Sequence, residues 1–272
     1  QMAAQGKAPL WLNLEYLSAE SWVEDCHTMA SPQPQLPLTK YFFFPGFSAK
    51  TGGLLREQHL LATLADFQHN TLAQQAFWQR LGIADMTAYA RKVSLFAYSH
   101  QQLDSLFDCW QQASDATLCV IPEGHLAEQA KVLMPELTQH ALSQYKQLTV
   151  LILPFLPQPD YDLLLSACDV NFVRGEDSII RAQWAAKPFI WQIYRQEEQA
   201  HLVKLNAFLA KYTARFSPAL RDAIMQFHQH WNTEQNLTAS WLQLQALLPE
   251  LADENVLWRN NLESHGDLAS NL

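Results

Sequence analysis

Long apolar runs are missing from this sequence, and none reaches the roughly 18 residues that a membrane-spanning helix requires. Blocks of Lys or Arg are missing as well, and the formal net charge is -9, which argues against binding to a nucleic-acid backbone. By contrast, 49% of the 272 residues are hydrophobic, enough for one large domain or two ordinary domains with buried cores. We therefore predict a globular cytoplasmic protein that binds neither membranes nor nucleic acid.

Motifs that hold metals or form disulfide frameworks are scarce. The four cysteines, which include no Cys-x-x-Cys pair, are Cys26, Cys109, Cys119 and Cys168. Their wide spacing favours reduced, mostly buried thiols over disulfides or a zinc site. No HExxH motif occurs, and His228 and His230 do not share a helix face because they are two residues apart. We predict that the protein uses neither a metal nor a cofactor.

Short apolar strands alternate with helical segments along most of the chain. Strands are predicted at 10–16, 41–45, 92–98, 117–121, 148–155, 170–173 and 188–193, and loops at 31–38 and 46–53. Helices are predicted after an N-cap at Ser18, over 56–91, 101–112 and 126–145, from 161, over 178–185 and 196–212, and through most of the tail from 216. This alternation is typical of α/β proteins with a parallel, doubly wound sheet.

The pattern changes near residue 90, which predicts a boundary between two domains. The first strand-like run, 10–16, comes with no helix before it. We therefore expect the first domain to be incomplete in this chain.

The most polar strand-to-helix turn reads RGEDS and begins at Arg174. Ligands of an open parallel sheet bind beyond the carboxyl ends of its strands, at helix N-termini. Arg174 offers a fixed positive charge, and Gly175 permits a positive φ or a close backbone approach. Asp177 or Ser178 can cap the helix, whose N–H groups suit a diphosphate, while Glu176 and Asp177 can accept hydrogen bonds from sugar hydroxyls. A simple helix cap with a surface ion pair would give the same pattern, so both interpretations remain open.

Two other turns carry candidate ligand contacts. In the proline-rich turn 153–162, Phe155 can stack on a base and the Gln158 amide can read the edge of that base. A rigid turn with a core phenylalanine explains the same residues. Phe96 and Tyr98 end another predicted strand, where their spacing also fits a half-buried strand.

Three long segments resemble one family specifically. They are WLNLEYLSAESWVEDCH (11–27), YFFFPGFSAKTGGLLRE (41–57) and FVRGEDSIIRAQWAAKPFIWQIY (172–194). In this order they resemble the bacterial elongation-factor-P arginine rhamnosyltransferases (EarP). The resemblance implies a GT-B glycosyltransferase fold, in which two Rossmann-like, doubly wound domains face a cleft.

The resemblance also assigns roles to the domains. It implies the remainder of an acceptor-side domain over 1–90 and a donor-binding domain over 91–215. Over 216–272 we expect C-terminal helices that pack back toward the first domain. The implied donor is dTDP-β-L-rhamnose, and the implied acceptor is an arginine of elongation factor P.

Site residues follow from the resemblance position by position. Donor-binding roles are implied for Phe96, Tyr98, Phe155, Gln158, Arg174, Gly175, Glu176, Asp177, Ser178 and Tyr194. Phe155 matches an aromatic residue placed against the thymine, and Glu176 is most closely tied to catalysis. The family's general-base aspartate lies close to its N-terminus, in a segment without a match here, since Trp11 already corresponds to a point inside the acceptor domain. We therefore expect this chain to bind donor better than it turns donor over.

The implied reaction is an inverting displacement, in which a guanidinium nitrogen attacks the anomeric carbon and thymidine diphosphate leaves. Two alternatives remain. A GT-B glycosyltransferase with a different nucleotide-sugar donor or acceptor would have a similar pocket. A non-catalytic module that senses a nucleotide sugar, or docks on elongation factor P, would share the binding residues but not the turnover.

Overall fold

The computed structural model describes residues 9–35 and 38–272. Residues 36 and 37 of the predicted loop 31–38 lie outside the described part, as do residues 1–8. The described chain folds into two compact units. One contains the residues up to Glu57 together with Arg195–Arg215 and Arg259–Leu272, and the larger one contains Gln58–Tyr194 and Phe216–Trp258.

Nine strands and twelve α-helices make up the regular structure of the described residues. The strands are β1 (Trp11–Leu14), β2 (Ala30–Pro32), β3 (Thr39–Phe43), β4 (Arg91–Leu95), β5 (Thr117–Pro122), β6 (Ser143–Tyr145), β7 (Leu148–Leu153), β8 (Val170–Arg174) and β9 (Phe189–Gln192). The helices are α1 (Trp22–Cys26), α2 (Leu60–His69), α3 (Thr71–Arg80), α4 (Leu103–Gln111), α5 (His125–Leu133), α6 (Gln158–Ala167), α7 (Gly175–Ala185), α8 (Ala200–Tyr212), α9 (Pro218–Asn232), α10 (Thr238–Gln245), α11 (Leu248–Glu263) and α12 (Leu268–Asn271).

The smaller unit is built on a three-stranded sheet in which β3 lies between β1 and β2. The β1 strand runs parallel to β3, and β2 runs antiparallel to it. The glycine-rich segment 46–53 is irregular, as predicted, and closes on itself because Gly46 N–H donates to the Gly53 carbonyl at 3.1 Å. Helix α8 packs in this unit through an aromatic contact between Phe208 and Phe47, whose ring centroids are 5.1 Å apart.

The larger unit is built on a six-stranded sheet in the order β6-β7-β5-β4-β8-β9. All its neighbouring strands are parallel except β6, which runs antiparallel to β7 at the sheet edge. Every residue of β5 and β7 is buried, as expected for central strands covered on both faces. The predicted α/β class is therefore confirmed.

Helices cover both faces of this sheet. On one face, Leu118 and Val120 of β5 belong to an apolar cluster with Phe77 and Trp78 of α3. Side chains alternate along a strand, and the strand register places Phe172 of β8 on the opposite face. There Phe172 contacts the rings of Trp110, Phe227, Trp231 and Trp241, which come from α4, α9 and α10.

Three predicted elements differ from the observed ones. The helix predicted over 56–91 is broken at Asn70, whose side chain accepts a hydrogen bond from Ala73 N–H at 3.0 Å and begins α3. The helix predicted over 126–145 ends at Leu133, two residues before a proline, and its last part forms the edge strand β6. Ser18 does not cap a helix, because α1 begins only at Trp22.

The two units also divide the chain differently from the predicted domains. Residues 58–90 belong to the larger unit because Phe67, Phe77 and Trp78 pack into its core. Residues 195–215 belong to the smaller unit, and the tail is shared between the two. The acceptor and donor roles of the domains, and their arrangement around a cleft, stay predictions.

Candidate functional site

The site is centred on the junction between β8 and α7. Strand β8 ends at Arg174 and α7 begins at Gly175, with no residue between them. Gly175 has φ of 65°, a left-handed conformation that favours glycine. Its carbonyl accepts a hydrogen bond from Trp191 Nε1 of β9 at 2.8 Å. The sharp turn from strand to helix therefore depends on a glycine and is held by the neighbouring strand.

Ser178 stabilises this junction from inside the helix. Its hydroxyl accepts a hydrogen bond from Arg174 N–H at 2.9 Å and donates one to the Arg174 carbonyl. The N-cap position is occupied by Arg174 instead of Asp177 or Ser178, so the predicted cap is wrong. A guanidinium has no acceptor atom and cannot satisfy the N–H groups of the first helical turn. Such N–H groups favour an anion.

Arg174 is held between two aromatic rings. Its guanidinium carbon lies 4.4 Å from the ring centroid of Phe96 and 4.9 Å from that of Tyr98. Cation–π contacts of this kind restrain a side chain without neutralising its charge. The first turn of α7 also carries the exposed carboxylates of Glu176 and Asp177. These carboxylates repel a phosphate but can accept hydrogen bonds from sugar hydroxyl groups. Arg174 is therefore the side chain whose positive charge can offset the negative charge of a diphosphate.

Tyr98 is positioned by the neighbouring strand. Its backbone N–H donates to Gln192 Oε1 of β9 at 2.7 Å. Its ring meets that of Tyr194 edge-on, with the centroids 5.9 Å apart. Burial raises the pKa of the Tyr98 hydroxyl, and the positive charge of Arg174 partly offsets this effect. Tyr98 therefore stays a neutral hydrogen-bond donor at physiological pH.

These groups border a pocket of about 290 Å³ in the larger unit. The apolar part of its lining consists of Phe96, Pro122, Phe155, Leu156 and Tyr161. Phe155 is 73% exposed, so its ring is accessible to a ligand in this pocket. The lining of the pocket thus includes aromatic rings suited to a base and polar groups suited to phosphates.

Gln158 connects the pocket to a buried ion pair. The amide oxygen of Gln158 faces Arg181, accepting from Nε at 3.2 Å and from Nη1 at 3.3 Å. Arg181 also forms a two-pronged ion pair with Asp162, in which Nε lies 2.7 Å from Oδ1. Asp162 is 6% exposed and Arg181 is 3% exposed. This pair joins α6 to α7 below the pocket.

An Asp-x-Asp motif, a pattern typical of metal–diphosphate sites, was expected to be absent; this expectation is wrong, because Asp160-Tyr161-Asp162 has that pattern. In the structure Asp162 is engaged by Arg181, and Asp160 Oδ1 lies 2.6 Å from Arg80 Nη2. Within the described ranges, no group of three or more His, Cys, Asp or Glu side chains is placed to hold a metal ion. The absence of a metal stays a prediction.

The family resemblance implies ten donor-binding residues, and nine of them line this one pocket. The tenth, Tyr194, contacts the pocket residue Tyr98. Pro122, Leu156 and Tyr161 line it as well and were missed. Of these, Tyr161 had a signal in the sequence, since a tyrosine follows the proline-rich turn on a helix. Asp162 and Arg181 were also missed, because their pairing depends on two helices packing together.

The remaining sequence-level expectations concern cysteines and membranes. All four cysteines are free, with Cys119 and Cys168 buried and Cys26 and Cys109 half-buried. This confirms the prediction of thiols over disulfides. In the part of the chain that the structure describes, no helix has the length and apolar character needed to span a bilayer.

Comparison with known proteins groups the chain with one family. The family model for the elongation-factor P (EF-P) rhamnosyltransferase EarP matches residues 1–272. The chain is 44% identical to a protein-arginine rhamnosyltransferase of Pseudomonas putida, with 100% of this chain and 72% of that protein covered. It is 42% identical to the protein of the same description from Pseudomonas aeruginosa, with the same 100% and 72% covered.

A solved structure has the same fold. It comes from work on the structural basis for EarP-mediated arginine glycosylation of translation elongation factor EF-P. The TM-score is 0.77 at 37% identity, with 84% of this chain and 73% of that chain covered.

Proposed function

The chain belongs to the EF-P rhamnosyltransferase (EarP) family, and from this premise we propose that it transfers rhamnose from dTDP-β-L-rhamnose to an arginine of translation elongation factor P. The observation that carries this proposal is the pocket at the β8–α7 junction. It joins an exposed aromatic side chain, Phe155, to a restrained cation, Arg174, and a helix N-terminus. This combination fits a nucleoside diphosphate linked to a sugar.

The donor is oriented by the aromatic and the polar residues that line the pocket. The thymine stacks against Phe155, and the amide of Gln158, which also lines the pocket, reads the edge of the base. The diphosphate lies at the first turn of α7, with Arg174 as its counter-charge. The rhamnose then meets the carboxylates of Glu176 and Asp177, which accept hydrogen bonds from its hydroxyl groups.

The reaction proceeds with inversion at the anomeric carbon. A bond forms between an arginine nitrogen and this carbon as the bond from the carbon to the diphosphate oxygen breaks. An arginine side chain is protonated at neutral pH and is a poor nucleophile, so a carboxylate must accept a proton from it. We assign this general base to an aspartate outside the donor pocket, as the family resemblance implies, and assign Glu176 to orienting the sugar or the guanidinium.

The leaving group is stabilised by fixed positive charge. The departing thymidine diphosphate gains negative charge on the oxygen that leaves the sugar. Arg174 is already restrained by two rings, so little reorganisation is needed as this charge develops. A cytoplasmic location follows from the proposal, since its acceptor is a translation factor.

The function is tested by incubating EF-P with the protein and dTDP-β-L-rhamnose and measuring the intact mass of EF-P. The expected result is the slow addition of one deoxyhexose, mapped by peptide fragmentation to an arginine. Parallel reactions with UDP-glucose test the alternative of a different donor. Modification by UDP-glucose alone, or at a residue other than arginine, contradicts the proposal and favours the broader glycosyltransferase interpretation.

A further inference from the structure

A second pocket lies at the amino ends of β4, β8 and β9 in the larger unit. Its volume is about 320 Å³, and none of the described residues that line it lines the donor pocket. Arg91 begins β4, Asp169 immediately precedes β8, and Lys187 lies two residues before β9. Arg174 ends β8, so at the usual rise of a strand it is about 17 Å from Asp169. The second pocket is therefore separate from the donor pocket.

Arg91 brings a positive charge into this pocket without a close counter-charge. Its half-buried guanidinium donates to Gln245 Oε1 at 3.5 Å and lies 5.8 Å from the ring centroid of Trp241, and neither group is charged. Burial lowers the pKa of Arg91, and the negative charges of Asp169 and Asp115 only partly offset this effect. Among the described residues, Arg91 forms no ion pair. Because arginine stays protonated in proteins, this charge is available to a ligand.

Lys187 adds a second positive charge. Its side chain is half-buried and forms no hydrogen bond or ion pair with another described residue. Asp169 is the acidic side chain of the lining, but its carboxylate already accepts from Lys92 N–H at 2.7 Å and lies 3.6 Å from Lys92 Nζ. With Asp169 paired to Lys92, the charges of Arg91 and Lys187 remain in the pocket. The pocket therefore attracts an anion.

The rest of the lining is mainly apolar. Its apolar residues are Ala90, Pro188, Leu248, Pro249 and Ala252. Because Pro249 in the first turn of α11 has no backbone N–H, the attraction for an anion comes mainly from the side chains and not from this helix end. A guanidinium matches the paired oxygens of a carboxylate or phosphate, and the apolar residues suit a short carbon chain.

We propose that this pocket is a second binding site, which takes a small organic anion with a carboxylate or phosphate group on a short carbon chain. Arg91 and Lys187 hold the oxygens of the anion, and the apolar residues contact the carbon chain. The volume of about 320 Å³ corresponds to roughly ten water molecules, which is enough for such a ligand. The inference goes beyond the proposed function and does not depend on it.

Ligand-observed NMR titration at constant ionic strength tests this site with butyl phosphate, butyrate and n-butanol. Saturable binding is expected for at least one of the two anions and not for the neutral alcohol, and the tighter anion identifies the preferred group. Lys187→Gln should weaken this binding about tenfold, the effect of one hydrogen bond to a charged group. Arg91→Gln should weaken it at least as much. The thermal unfolding midpoint of Lys187→Gln should be unchanged, since this side chain has no described partner to lose.

Two control variants separate this site from general charge effects and from the donor pocket. Lys146→Gln removes an equal charge at an exposed position of the larger unit, outside the pocket lining, and should leave the affinity for the anion unchanged. Arg174→Ala should also leave it unchanged, because Arg174 lines only the donor pocket. Conversely, Lys187→Gln should bind dTDP as the original protein does.

The inference is overturned if neither anion binds saturably, or if Lys187→Gln binds the anion as tightly as the original protein. Equal binding of n-butanol contradicts recognition of the charge. An equal loss in Lys146→Gln shows a general charge effect and also overturns the site. A loss in Arg174→Ala alone places the anion in the donor pocket instead. Since none of these results requires dTDP to bind, the inference and the proposed function fail separately.

Discussion

Arg174 is the residue on which the electrostatics of the pocket depend. Its guanidinium is restrained by Phe96 and Tyr98, and its backbone is fixed by the Ser178 hydroxyl. The side chain is thus positioned before a ligand arrives, which reduces the entropy that binding must offset. The same residue is the N-cap of α7, so a fixed charge and a helix N-terminus act at one place.

Replacing Arg174 by alanine should weaken dTDP binding more than it weakens the fold. Loss of a charged hydrogen bond to phosphate corresponds to about 2 kcal/mol, or roughly 30-fold in Kd. The two cation–π contacts are partly exposed, so the free energy of unfolding should fall by only about 1 kcal/mol. Calorimetry and urea unfolding measure the two effects. The exposed Arg80 provides the control, since Arg80→Ala removes the same charge outside the pocket lining.

Asp177→Ala distinguishes sugar contacts from phosphate contacts. Its exposed carboxylate is proposed to accept a hydrogen bond from the rhamnose, so the variant should bind dTDP-rhamnose more weakly and dTDP no more weakly. Titration with the two ligands in parallel gives the comparison. Unchanged affinity for dTDP-rhamnose in both Asp177→Ala and Arg174→Ala would remove the donor from this junction.

At the scale of elements, helices α6 and α7 are joined below the pocket by the Asp162–Arg181 pair. Both side chains are almost fully buried, and the pair also holds Gln158 at the first position of α6. Removing one partner of a buried pair leaves an uncompensated charge and costs about 3–5 kcal/mol. Asp162→Asn should lower the free energy of unfolding by an amount in this range, as measured by urea denaturation.

Asp160→Asn is the matched control for this loss. Asp160 lies two residues away and also pairs with an arginine, but the side chain of Arg80 is 57% exposed. Exposed pairs contribute about 0–1 kcal/mol, so this variant should unfold almost as the original protein does. Equal losses in the two variants would contradict the structural importance of the buried pair.

The open edge of β9 is covered by side chains of α9. His228 Nε2 accepts from Trp191 N–H at 3.1 Å, and Asn232 Oδ1 accepts from Ile193 N–H at 2.9 Å. The other ring nitrogen of His228, Nδ1, lies 2.9 Å from the Ile224 carbonyl and donates to it. This arrangement requires a neutral imidazole, and burial lowers the pKa of His228 to about 4. The edge strand is therefore protected without a further strand.

This histidine makes stability depend on pH. Its pKa is lower in the folded state than the ordinary value of about 6.5, so the unfolded state binds a proton first as the pH falls. The contribution of the neutral His228 side chain to stability is therefore complete above about pH 6.5. It declines as the pH falls and is lost at about pH 4. From pH 7 to pH 5 the free energy of unfolding of the original protein should fall by about 2 kcal/mol more than that of the His228→Gln variant. Urea unfolding of both proteins at the two pH values measures this difference. Equal pH dependence of the two proteins would contradict the buried neutral imidazole.

At the scale of the whole molecule, most of the parallel sheet could be predicted from sequence. The strands of the larger unit are apolar runs between helical segments, a pattern that reflects burial on both faces. The edge strand β6 could not be predicted, since its pairing with β7 is a tertiary contact and its residues are partly polar. The unit boundaries were missed for a similar reason, because α2 and α3 join a core formed by later strands.

The candidate site was predicted less directly. The polar turn at Arg174 could be identified from residue chemistry. The aromatic contacts were candidates that residue chemistry left open, and the family resemblance selected them. The Asp162–Arg181 pair could not be assigned a role from sequence, because its role depends on the packing of α6 against α7. Residue chemistry therefore indicates which groups can bind a ligand, and packing decides which of them meet.

The most direct test of the central claim is the binding of dTDP-β-L-rhamnose to the protein, measured by titration calorimetry beside UDP-glucose. The account predicts saturable binding of dTDP-β-L-rhamnose, abolished or strongly weakened in Arg174→Ala, and distinctly weaker binding of UDP-glucose. Binding of neither ligand, or equal binding of both, would contradict the assignment of this pocket to a thymidine-diphosphate sugar.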